Sequence, residues 1–160
     1  MRKSRIYIAG PLLSESEREF NEKLERTLSN LGYRTFLPQR DGHELATLKD
    51  SDMKWTEASD HIFKVDIDAL DRSDVVVFVM DGRVPDEGAC MEIGYAYALG
   101  KECIGLKTDP RALMDGIDNP MITGALKHRV ARNLNMLEMI LAQLGKGTGP
   151  VSSIEDPHKN

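Results

Sequence analysis

The stretch "DVVVFVM", residues 74–80, constrains this chain more than any other. Valine is stiff about χ1 and crowds a helix, so Val75, Val76, Val77 and Val79 favour a strand. A strand with one wet face alternates apolar and polar residues. An unbroken apolar run is buried on both faces, as in the middle of a parallel sheet. Parallel neighbours need long crossovers, so strands and helices must alternate along the chain.

They do. "RIYIAG" (5–10), "YRTFLP" (33–38) and "ECIGLK" (102–107) read as further strands. After the first, Ser14 or Ser16 can cap a helix whose Phe20, Leu24, Leu28 and Leu31 recur at helical spacing, with Gly32 as its stop. A helix over 57–73 has Ile62, Val65, Ala69, Phe63 and Leu70 facing inward. Another fills 85–101, and a last one lies around 132–145. Residues 38–58 give mixed signals and read as a long loop with a short helix. A loop holding Pro110, Gly116 and Pro120 precedes the last helix. The chain has 160 residues, which suits one domain, taken as 1–145, followed by a polar tail over 146–160. The expected fold class is therefore α/β, a parallel sheet flanked by helices on both faces, in a single domain.

Ligands bind such sheets beyond the carboxyl ends of the strands. That selects the loops Ala9–Leu13, Leu37–Gly42, Met80–Asp86 and Lys107–Asp109. Gly10 and Pro11 shape a tight exit from the first strand and are candidate substrate contacts.

One residue breaks the helical pattern of "PDEGACMEIGYAYALGK" (85–101). The apolar stripe runs Ala89, Ile93, Ala96, Tyr97, Gly100, and Glu92 points into it. A carboxylate there must be bonded to a buried tyrosine or arginine, be protonated, or face a polar cavity. Asp86 lies six residues earlier, the wrong separation for one helical face, so it belongs before the helix as a cap or over the strand ends. Gly88 and Ala89 keep the first turn bare, and Gly94 and Ala98 thin the rest. Of the acids in "FKVDIDALDRSD", Asp71 and Asp74 suit turn chemistry, whereas Asp66 sits at the margin of the inward face. Tyr7 is either a core aromatic with a satisfied hydroxyl or a site residue.

Taken together, "IYIAGP", "PQRDG", "SDVVVFVMDGRVPDEGACMEIGYAYALGK" and "GIDNPMI" resemble the nucleoside 2-deoxyribosyltransferases over roughly residues 5–125. The resemblance implies a flavodoxin-like fold and transfer of 2-deoxyribose between nucleobases with retention, as in deoxynucleoside salvage. It implies Glu92 as nucleophile, Asp66 and Asp86 as base-binding acids, and Tyr7 as the residue that orients the nucleophile. It implies Gln39 at the nucleobase, and Asn119 at the sugar 5′-hydroxyl of a neighbouring subunit, so that a homo-oligomer completes its sites across subunits. Gly10, Pro11 and Gly88 are expected to border the substrate. No cofactor is implied. The chemistry agrees: a carboxylate close to C1′ can form a glycosyl-enzyme, and a carboxyl of raised pKa can protonate the leaving base.

A deoxynucleoside 5′-monophosphate N-hydrolase resembles the same pattern. It needs phosphate donors after the first strand, where Ser14, Ser16 and Arg18 occur. Against it, "GIDNPM" offers Asp118 and Asn119 rather than a serine, and an aspartate repels a phosphate dianion. A non-catalytic nucleotide-binding domain is the rival of another class. The net charge of −5 and scattered basic residues disfavour nucleic acid as a partner. No apolar run is long enough for a signal peptide or a membrane span, so a cytoplasmic location is expected. His43, His61, His128 and His158 share no ligand spacing, and Cys90 and Cys103 read as small buried hydrophobes, so no metal site is expected.

Overall fold

A computed structural model describes residues 4–42, 54–113 and 116–145. Five strands form one wholly parallel sheet: β1 (Arg5–Ala9), β2 (Arg34–Phe36), β3 (Val75–Val79), β4 (Glu102–Leu106) and β5 (Val130–Ala131). Their spatial order is β2-β1-β3-β4-β5, the flavodoxin-like order. All of β3 is buried, as its unbroken apolar run requires.

The helices are α1 (Glu15–Asn30), α2 (Pro38–Asp41), α3 (Trp55–Asp71), α4 (Glu87–Ala98), α5 (Pro120–Ala125) and α6 (Leu134–Leu144). Strand alternation splits the core into two layers. Ile6, Ile8, Val75, Val77, Val79, Ile104 and Leu106 face α1 and α6. Tyr7, Ala9, Val76, Phe78 and Cys103 face α3 and α4. The sheet thus has a hydrophobic layer on each side, and each side chain in it is assigned by strand parity.

Ser14 caps α1 in a reciprocal capping box with Glu17, and Gly32 follows in the left-handed region at φ 83°. The helix expected from residue 57 begins at Trp55, and Phe63 is not inward but 57% exposed. Of the other residues expected inward, Ala69 and Leu70 are buried and Val65 packs partly buried against the core; Ala58 joins the stripe. In α4 the stripe is Ala89, Ile93 and Ala96; Tyr97 and Gly100 are exposed. Tyr97 falls at the edge of the arc, and the helix has ended at Ala98, with Gly100 at φ 70°. Helix α5 and strand β5 were not among the sequence expectations. β5 has two residues, too few to carry a periodic signal. The expected loop over 38–58 is helical at Pro38–Asp41 and again from Trp55; residues 43–53 and the expected tail over 146–160 lie outside the described residues.

Candidate active site

β1 and β3 meet at the switch point of the sheet, where successive crossovers leave on opposite faces. On the α3–α4 side, strand parity sends Tyr7 into the helical layer, where it is fully buried. Its ring stacks on Phe36 with centroids 5.3 Å apart and planes at 16°. Its Oη donates a hydrogen bond of 2.5 Å to Glu92 Oε1. The out-of-pattern glutamate of α4 is therefore bonded to a buried tyrosine.

Burial pushes the Glu92 carboxyl up to about 8; the Tyr7 hydrogen bond opposes this, while the Asp66 and Asp86 charges add to it. Burial also pushes the Tyr7 phenol well above its usual range, helped by the negative charges of Glu92 and Asp66. Among the described residues, the charges that shift Glu92, those of Asp66 and Asp86, are both negative. Salt bridges that merely hold a fold have the opposite character.

Asp86 is the N-cap of α4, with Oδ2 accepting from Ala89 N at 2.9 Å. A Cβ added at Gly88 would sit 3.2 Å from Asp86 Oδ2. The bare first turn therefore leaves room for the aspartate itself. Asp66, on the inward margin of α3, lies against the end of α2: a Cβ at Gly42 would stand 3.4 Å from Asp66 Oδ1. Tyr7, Glu92, Asp66 and Asp86 thus converge from β1, α4 and α3. Asp71 and Asp74 are used elsewhere: Asp71 accepts from Tyr95 Oη at 2.8 Å, and Asp74 from Arg5 N at 2.8 Å.

Gln39 donates from Nε2 to Arg18 O at 3.0 Å, and its Oε1 accepts from Asn21 Nδ2 at 3.1 Å, which ties its amide to α1. Pro11 faces a cleft beside α1. Gly10 passes so close to β3 that a Cβ would lie 2.8 Å from Val79 Cβ. Asn119 is exposed and caps α5, its Oδ1 accepting from Met121 N at 2.9 Å. Asp118 forms an ion pair with the buried Lys107. Its charge is thereby matched, so the repulsion of phosphate expected from it loses its basis.

Three residues of this region were not singled out from the sequence: Phe36, which backs Tyr7; Lys107, buried at the end of β4; and Asn21, a polar residue on the inward face of α1. Asn21 follows Phe20 and precedes Leu24 by three, so the helical spacing that gave the apolar stripe also placed it inward. Among the described residues no group of side chains suited to a metal ion occurs, and no helix is long and apolar enough to cross a membrane.

The model of the family described as nucleoside 2-deoxyribosyltransferase matches residues 6–147. A search of curated proteins finds no match. Among solved structures, a 2-deoxyribosyltransferase from Bacillus psychrosaccharolyticus is similar with a TM-score of 0.69 and 26% identity, covering 84% of this chain and 90% of that one. A conserved protein from Enterococcus faecalis gives 0.70 and 24%, covering 91% and 99%. A CMP N-glycosidase from Clostridium botulinum gives 0.52 and 21%, covering 90% and 99%. At their lower identities the last two speak to the fold alone. With its sheet order, its carboxylate cluster and a family match over nearly its whole length, the chain belongs to the nucleoside 2-deoxyribosyltransferase family of pentosyltransferase enzymes.

Proposed function

We propose that this enzyme exchanges the base of a 2′-deoxynucleoside for a free nucleobase, with Glu92 as nucleophile and residues 1–145 as the catalytic unit. The observation that carries the reading is the Tyr7–Glu92 hydrogen bond inside a cluster of carboxylates. Tyr7 holds Oε1, which leaves Oε2 to attack C1′. As the C1′–O bond forms, the C1′–N bond breaks and its electron pair stays on the base nitrogen. That nitrogen takes a proton from the carboxyl of Asp66 or Asp86. The positive charge that builds on the sugar is stabilised by the negative surroundings. A second base attacks C1′ from the vacated side, returns its proton to the acid and releases Glu92, so configuration is retained. Water in place of the second base gives slow hydrolysis.

The loop after β1 favours exchange over hydrolysis of a monophosphate. A phosphate there would use the N-terminus of α1. Leu13 N and Ser14 N already donate to Glu17 Oε2 at 3.0 and 2.8 Å, and Arg18 Nε donates to Leu12 O at 2.9 Å. The protein's own carboxylate fills the position of the anion. Met91 and Tyr97 on the outer face of α4, and Met121 on α5, are exposed apolar residues that support a homo-oligomer, with Asn119 serving a neighbouring site. The small-molecule partners are then deoxynucleosides and bases, in the cytoplasm. The test is product identification with a panel of deoxynucleosides and bases: a new deoxynucleoside is expected. Free sugar phosphate from a deoxynucleoside monophosphate, with no exchange, would establish the hydrolase instead.

A further inference from the structure

Two of the loops at the carboxyl ends of the strands are tied to each other by side chains. The backbone ladder between β3 and β4 runs to the bond from Met80 N to Leu106 O at 2.8 Å. Past it, Asp81 reaches across. Its Oδ1 accepts from Thr108 N at 2.6 Å and from Asp109 N at 2.9 Å, and its Oδ2 accepts from Thr108 Oγ1 at 2.6 Å. Asp109 answers in the other direction, its Oδ2 accepting from Gly82 N at 3.1 Å. Gly82 stands at φ 114°, and a Cβ there would lie 3.2 Å from Val84 O, so the turn that presents this N–H needs glycine.

The far side of this clasp is itself fixed. Lys107, next to Thr108, donates from its backbone N to Ala131 O at 2.8 Å, and its buried ammonium pairs with Asp118. Arg111 Nε donates to Asp109 Oδ1 and Oδ2 at 3.0 and 2.7 Å, which brings a positive charge to the two neighbouring carboxylates. The near side is the six-residue loop from Asp81 to Asp86. The end of that loop is held by Asp86 itself, as the N-cap of α4. An aspartate with both oxygens bonded to the adjoining loop is committed to holding it. The charges that raise Glu92 are those of Asp66 and Asp86, and Asp81 is not among them. Asp81 therefore acts through position rather than through its field. Position matters here, because an acid misplaced by about 1 Å can cost on the order of a hundredfold in rate.

We propose that Asp81 is a positioning residue of the enzyme, whose clasp on Thr108 and Asp109 holds Asp86 where the leaving base takes its proton. The role of Asp86 rests on the exchange reading. As the C1′–N bond breaks, its electron pair stays on the base nitrogen, and the Asp86 carboxyl gives that nitrogen its proton. Without the clasp the loop keeps its cap but loses its fixed start, and Asp86 spends less time in line with the nitrogen.

The experiment measures C1′–N cleavage by the whole chain with free adenine present as acceptor. Two pairs of substrates are compared: 2′-deoxyguanosine with 7-methyl-2′-deoxyguanosine, and 2′-deoxyuridine with 5-nitro-2′-deoxyuridine. The methylated purine leaves without needing a proton, and 5-nitrouracil leaves as a stable anion. In whichever pair wild type cleaves, Asp81→Ala is expected to lower kcat about tenfold to a hundredfold on the ordinary base and less than about twofold on the activated one. Thr108→Val removes one donor from the far loop and keeps its backbone bonds. It is expected to show the same contrast at about threefold, and it carries the test if Asp81→Ala does not fold. Thr108→Ser keeps the hydroxyl and is expected to match wild type. Equal losses on both members of a pair, or no loss, would make the clasp a purely structural device and overturn the proposal. Wild type inert on both pairs would overturn it together with the exchange reading. The leaving-base contrast without any 2′-deoxyadenosine formed would support the clasp and count against exchange alone.

Discussion

Two clusters of carboxylates lie near the ends of β1 and β2, and they are built on opposite principles. Around Arg40, the side chains of Glu25 and Asp41 are paired: Arg40 Nη1 lies 2.8 Å from Glu25 Oε1, and Nε and Nη2 each lie 2.7 Å from an oxygen of Asp41. Burial alone would raise both acids, but the Arg40 hydrogen bonds, with Ser29 and Thr35 on Glu25 and Leu37 N on Asp41, hold both below the usual range. Around Glu92, burial acts together with two more negative charges, and the carboxyl rises to about 8. The first arrangement stabilises the fold. The second stores unfavourable electrostatics at one atom, as sites that must move charge commonly do.

The comparison breaks first at Glu92. Glu92→Gln is expected to lower base exchange at least about a thousandfold, whereas Glu25→Gln leaves the rate per folded molecule near wild type. Steady-state exchange assays on both variants check this; an active Glu92→Gln would remove the nucleophile from the reading. Tyr7→Phe is next, with kcat/KM falling about tenfold to a hundredfold. The ionised carboxylate is the attacking form, so wild-type kcat/KM is expected to rise toward about pH 8, and to fall again where the acid that protonates the leaving base is lost. The Tyr7 hydrogen bond favours that form, so its loss moves the midpoint upward.

Stability separates the clusters in the reverse sense. Arg40→Met strands two partly screened carboxylates and is expected to cost about 1 kcal/mol at neutral pH. Acids held low in the fold contribute stability above their unfolded values, so this gap should narrow as denaturant melts are repeated below about pH 4. Glu92 is raised, so its contribution runs the other way: it is lost as pH rises from the unfolded value toward about 8. Glu92→Gln should therefore gain in Tm over wild type between about pH 5 and 8, by roughly 3 °C. The smallest effect is Asp86→Asn. Asparagine caps as well as aspartate, so denaturant melts are expected to stay within about 0.5 kcal/mol of wild type.

Much of this contrast was open to sequence reading at one cluster and closed at the other. Glu92 was legible because it broke a helical period, whereas Tyr7 fitted a core aromatic by pattern and stood as a site residue only through the family resemblance. Asp86 was legible as a cap from its place before the helix. Strand-end position, shared by both faces of the sheet, did not show where the Gln39 amide turns; only packing ties it to Asn21 and Arg18. Asp118 was misjudged for the same reason, since its charge is set by Lys107, eleven residues away in sequence. Phe63 shows the limit of periodicity, because it borders the apolar arc of α3 yet stays largely exposed there.

By itself the sequence determined everything that local period and composition dictate. An unbroken β-branched run has to be buried on both faces, alternating elements have to form a parallel sheet, and a carboxylate inside an apolar stripe has to find a partner. Tertiary structure decided which partner. Tyr7 and Glu92 are 85 residues apart and meet only because strand parity and helix rotation aim them at one point. Whether an acid is neutralised, as beside Arg40, or left to raise its neighbour, as beside Glu92, depends on distances between elements, and no local spacing along a chain contains those distances.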